Sequence, residues 1–80
     1  MAKRRVRFTF PPQLIQVPVI YQLGKQFELV TNIRRAAVDE NTGWVVLELE
    51  GNEDEIDRGI GWVESVGVRV DPVGGDVVES

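Results

Sequence analysis

In two stretches of this chain every second residue is apolar, and each stretch ends at a residue that stops a strand. Val6, Phe8 and Phe10 point one way and Arg5, Arg7 and Thr9 the other, before Pro11-Pro12. Val45, Leu47 and Leu49 point one way and Trp44, Val46, Glu48 and Glu50 the other, before Gly51. A period of two is the signature of a half-buried strand. Proline lacks the amide that a sheet ladder needs, so the first strand stops at Pro11. Two such strands need a second layer to cover their apolar side, and the segments beside them have helical spacing. Ile20, Leu23, Gly24 and Phe27 recur after Pro18, a residue suited to a first helical turn. Val19 and Tyr21 widen that stripe. Gly24 is expected to allow close packing, since glycine otherwise weakens a helix by about 1 kcal/mol against alanine. Ile56, Ile60 and Val63 form the second stripe, to about Ser65. Asn52 with Glu55 resembles a capping box, and Glu53, Asp54 and Glu55 suit the positive end of the helix dipole. Trp62 falls off this stripe, either capping the edge of the core or forming a contact surface.

Val30 to Asp39 reads as another strand, in which a bulge between Ile33 and Ala36 restores the alternation. Glu40-Asn41-Thr42-Gly43 reads as the hairpin turn that follows, with Asn41 and Gly43 at positive φ. Gly67 is placed to end the second helix, and Val68 and Val70 mark a short last strand. The order is strand, helix, strand, strand, helix, strand. Short, right-handed connections leave few ways to pack it, and the α+β ferredoxin-like βαββαβ sandwich is the expected one, with a four-stranded antiparallel sheet and both helices on one face. One domain is expected over residues 1–73, with a flexible C-terminal tail over 74–80.

Charge divides along the chain. Residues 1–35 carry seven Lys/Arg against Glu28 alone, and residues 36–80 carry Arg58 and Arg69 against twelve acids. With the first and third strands adjacent, Arg5 and Arg7 are expected across from Glu48 and Glu50, so that the basic half pairs with the acidic half. An RNA platform would need aromatic residues on the outward face, but Phe8 and Phe10 point inward and the carboxylates repel phosphate, so no nucleic acid is expected. The run Glu53-Asp54-Glu55-Asp57 lacks the alternating ligands and central glycine of a calcium loop.

The 80 residues contain neither cysteine nor histidine. That excludes disulfides, thiol chemistry and any nucleophile that relies on a histidine base within this chain. It also removes the commonest ligands for zinc and iron. No catalytic residue, metal site or cofactor is expected, and the chain reads as a binding protein rather than an enzyme. No apolar run approaches the ~20 residues that span a bilayer. The N-terminal bases have no apolar region after them, so a secretory signal is not expected and a cytoplasmic location is. A domain this small often gains support from association. With a bare edge strand as a second motive, a homodimer is expected.

Thr31 to Ala36 lies at the start of that edge strand. Asn32 could make a local turn, or its amide could read a polar ligand; Arg34 or Arg35 could hold a carboxylate bidentately. At this segment the chain resembles the NIL domain, named for an Asn-Ile-Leu motif on the second strand. The motif here is Asn32-Ile33-Arg34, with Arg34 in place of the leucine. Phe8-Thr9-Phe10, Gly43-Trp44, Leu47-Glu48-Leu49-Glu50-Gly51 and Gly67-Val68-Arg69-Val70 also match in kind and order, so the resemblance spans roughly the whole domain. Pro18 to Leu23 and the tail from Asp71 are similar to the branch found in front of iron–sulfur ferredoxin domains. The other branch forms the C-terminal regulatory modules of methionine-importer ATPases, which pair as dimers and bind methionine near their interface. The resemblance implies a ferredoxin-like regulatory module with an amino acid as ligand. Asn32 would bond the ligand's polar end, Ile33 would line its side chain, and Arg34 or Arg35 would hold its carboxylate. A ferredoxin or transporter partner is the alternative it implies.

Overall fold

The structure, a computed structural model, describes residues 1–73. The tail expected over 74–80 lies outside the described residues. The elements are β1 (Ala2–Phe10), a short 3-10 turn (Pro12–Leu14), α1 (Val19–Gln26), β2 (Val30–Val38), β3 (Gly43–Gly51), α2 (Glu53–Ser65) and β4 (Arg69–Pro72). The strands form one antiparallel sheet in the order β2-β3-β1-β4. This is the α+β ferredoxin-like arrangement that the order of elements demands.

The alternating residues divide between the two faces as their period requires. Val6, Phe8, Phe10, Val45, Leu47 and Leu49 are all buried. Val19 and Leu23 of α1, Ile56 and Val63 of α2, and Leu29 and Val68 of the connections complete the same core. Both helices therefore lie on one face of the sheet, and the other face is open. Trp62 packs at the edge of the core against Phe27, with ring centroids 6.2 Å apart. Gly67 ends α2 at φ 108°, the left-handed conformation that favours glycine.

Several local expectations are corrected. Gly24 is exposed, and a Cβ there would meet only the Leu29 carbonyl at 3.9 Å. The close approaches fall instead at Gly59 of α2, where a Cβ would lie 2.8 Å from a Leu29 methyl and 2.9 Å from a Leu23 methyl, and at Gly51, where it would lie 2.8 Å from the Glu28 carbonyl oxygen. Asn52 makes no side-chain cap. The Glu55 carboxylate accepts a hydrogen bond from the Glu28 amide at 2.9 Å and pairs with Arg58 at 2.8 Å, which takes it away from a capping box.

The β2–β3 turn needs no residue at positive φ, and neither Asn41 nor Gly43 has one. The Asp39 carboxylate accepts hydrogen bonds from the amides of Asn41 and Thr42, both at 2.8 Å, and the Asp39 amide donates to the Thr42 carbonyl. The side chain thus supplies the closure that left-handed residues would otherwise give. The backbone N–H of Thr42 and then that of Asn41 hold the Asp39 carboxyl below its ordinary value of 3.8. A lowered carboxyl stabilises the fold above its unfolded value and stops doing so as pH falls through its folded value. In an NMR pH titration, the Asp39 carboxyl is expected to titrate below 3.8, with the Thr42 amide shifting alongside it. A midpoint at or above 3.8 would rule out this closure.

The register of the central pair differs from expectation by one row. Antiparallel strands that set Arg5 and Arg7 across from Glu48 and Glu50 would pair Arg5 with Glu50 and Arg7 with Glu48; instead Arg5 faces Glu48, at 3.6 Å, Lys3 faces Glu50 and Arg7 faces Val46. In antiparallel strands, a step forward on β1 is a step back on β3. Arg7 therefore moves away from Glu50, and its guanidinium lies over the Trp44 ring, 4.7 Å from the centroid.

Candidate functional site

The edge strand β2 is nine residues long and exposed along nearly its whole length. It pairs with β3 on one side, and its other edge offers backbone donors and acceptors. The expected bulge is present between Ile33 and Arg35, with Arg34 as the extra residue. Asn32 lies opposite Glu48 and Arg35 opposite Val46, so both belong to the open face of the sheet. Ile33 lies opposite the buried Leu47, so its side chain points to the helix side. The four candidate residues thus share one short stretch of edge but not one face. Among the described residues, neither Arg34 nor Arg35 makes an ion pair with a carboxylate.

The helix side of β2 is barely covered. Ile33 is 54% exposed and Val38 is 62% exposed, so the helix layer leaves apolar side chains of the edge strand open. Beside Val38 lies an apolar cleft of about 190 Å³. Phe10, Ile15, Val19, Val38 and Val45 form its walls, with Tyr21 at its margin. Sequence reasoning missed this cleft. The available signal was the clustering of Ile15, Val17, Val19 and Tyr21 around Pro18, more apolar residues than one short helix can bury. The cleft and Asn32 lie near opposite ends of β2, about 20 Å apart at strand rise. No amino acid bridges that distance within one chain.

Among the described residues, no group of three or more His, Cys, Asp or Glu side chains is arranged to hold a metal ion. No helix among them is long and apolar enough to cross a membrane. What the edge can do chemically is accept another strand and cover its exposed apolar side chains.

Comparison with known proteins bears on this site. The family profile of the NIL domain matches residues 4–72. Among solved structures, the chain is similar to the C-terminal domain of an ABC transporter ATP-binding protein from Enterococcus faecalis. The TM-score is 0.77 at 19% identity, over 89% of this chain and 83% of that one. That likeness is one of fold. No curated protein matches the chain.

Proposed function

The chain belongs to the NIL domain family, and from that premise we propose that it is a non-catalytic regulatory module of the cytoplasm that takes an amino acid, methionine foremost, as a dimer. The observation that carries this reading is the exposed β2 edge bearing Asn32, Ile33, Arg34 and Arg35. Asn32 and Arg35 lie on one side of the strand and Ile33 on the other, so a ligand that meets all of them sits at the edge itself, between two chains. Antiparallel pairing of β2 with its copy about a two-fold axis sets the Asn32 end of one strand beside the Val38 end of the other. On the helix side Ile33 of one protomer then lies toward the apolar cleft of its partner, while Asn32 and Arg35 meet the ligand's polar end on the open face. The Asn32 amide bonds the ligand's polar end, and Arg34 or Arg35 holds its carboxylate bidentately.

Two measurements test this. In light scattering, the wild type is expected at twice its 9.0 kDa chain mass. Ile33→Lys should return it to one chain, because a charge on an edge strand opposes strand pairing. In calorimetric titration with methionine and a panel of amino acids, Asn32→Ala is expected to weaken binding about tenfold, the loss of one buried polar contact. Silence across the panel at millimolar concentration would sink the ligand reading.

A second reading is favoured by the structural neighbour, which is one domain of a transporter ATP-binding protein. Here the chain docks on a separate transporter or iron–sulfur ferredoxin partner and regulates it. Co-purification from the native cell separates the two readings, since a purely self-associating chain leaves the second without support.

A further inference from the structure

The open face of the sheet is a surface that neither the core nor the β2 edge explains. It carries Lys3, Arg5, Arg7, Arg35 and Arg69 against Glu48, Glu50 and Asp71, five bases to three acids, on a chain whose net charge is −4. The helix layer is correspondingly acidic, with Glu28, Glu53, Asp54, Glu55, Asp57 and Glu64. The three acids on the sheet face are matched within it. Arg5 reaches Glu48 at 3.6 Å, Arg69 holds Asp71 at 3.0 Å, and Lys3 lies opposite Glu50. One row of the sheet holds Arg35 and Arg7 on either side of the half-buried Val46, with Asp71, which bonds Arg69, opposite Arg7 on β4. Arg35 and Arg7 are both exposed, and neither makes an ion pair among the described residues.

Arg7 is also held in place. Its guanidinium rests over the Trp44 ring at 4.7 Å. Stacking orders the planar group while leaving its N–H edge free, the geometry that accepts a carboxylate in two parallel hydrogen bonds. Val46 lies between the two cations, and Trp44 and Ala37 stand in the neighbouring row of the same face. Sheet faces are broad rather than concave, which suits a macromolecular surface better than a small molecule.

We infer that Arg7 and Arg35, with Trp44 between Arg7 and the sheet, form a docking row for an acidic protein segment whose carboxylates they clamp. Charge complementarity selects this occupant, since the face carries more bases than acids and a guanidinium fork fits a carboxylate in two parallel hydrogen bonds. The row shares Arg35 with the proposed amino-acid site at the β2 edge, whereas Arg7 and Trp44 take no part in that site, so the Trp44 indole shift and the Arg7→Lys variant test the row independently of it.

The test titrates the full chain with octaglutamate and follows it by NMR at low ionic strength, about 0.05 M. The indole N–H of Trp44 is expected to shift while that of Trp62, on the helix side, stays. The double variant Arg7→Gln/Arg35→Gln should weaken binding about tenfold or more, and Arg7→Lys should lose part of it because an ammonium cannot stack or fork. Lys25→Gln, on α1, should bind as the wild type does. Raising the ionic strength to about 0.3 M should weaken the wild type strongly. Circular dichroism confirms that each variant is folded. The inference is overturned if octaglutamate does not bind, if Lys25→Gln loses as much as the arginine double variant, or if an oligouridylate binds and octaglutamate does not.

Discussion

Phe8→Ala is expected to destabilise the fold by about 3–5 kcal/mol, the cost of deleting a buried aromatic ring and leaving a cavity. Phe8 is fully buried on a central strand, with Val45 opposite it on one side and Val70 on the other. Its ring meets Phe10 edge-on at 6.3 Å. With strands on both sides, the backbone cannot collapse into the space. An 80-residue domain has roughly 4–12 kcal/mol in total, so this one substitution removes a large share. Urea denaturation measures it as a fall in midpoint at unchanged slope. A loss below about 1 kcal/mol would mean that the site repacks freely, contrary to the packing described.

Gly51→Ala is the second large effect, expected at about 3 kcal/mol, the upper part of the range for overpacking. The new Cβ would stand 2.8 Å from the Glu28 carbonyl oxygen and 2.9 Å from a Leu29 methyl. A side-chain tip can rotate away, but the carbonyl belongs to a backbone held at its own amide by Glu55, at 2.9 Å. Gly51→Ala should therefore couple to Glu55→Ala. In a Glu55→Ala background the connection between α1 and β2 is released, and Gly51→Ala should cost less than it does in the wild type. Strict additivity in the four-variant cycle would show that the Glu55 bond does not hold Glu28 in place.

The sequence carried the sheet and both helices because their patterns depend on nearest neighbours. Val6-Phe8-Phe10 and Val45-Leu47-Leu49 could face only one way, and the bulge at Arg34 was legible because Ile33 and Ala36 broke parity. Features set by tertiary contact were not legible. The Asn52–Glu55 spacing is a fair helix start, but Glu28, distant in the chain, takes the Glu55 carboxylate. Gly24 and Gly51 look alike in sequence, and only the path of the Glu28 carbonyl makes the second one tight. The candidate residues on β2 were found by their chemistry. That Asn32 and Ile33 would point to opposite faces follows from a period of two, but that Ile33 and Val38 would stay exposed on the helix side depends on how the layers pack, which neighbouring residues do not encode.

The strand order β2-β3-β1-β4 also governs how the molecule comes to be folded. Only β2 and β3 are neighbours in the chain, joined by the short loop that Asp39 ties. The central pair brings Ala2 to Gly51, and the last brings Val6 to Pro72. Loop-closure entropy is spent on those pairings before their contacts form, and such non-local topologies fold in milliseconds to seconds rather than microseconds. The β2–β3 hairpin can form early, in about 1–10 μs, and β1 must then find its place beside β3. Until it does, β3 has a free edge bearing Val45, Leu47 and Leu49, and that interval is when this chain is most exposed to pairing with the wrong partner.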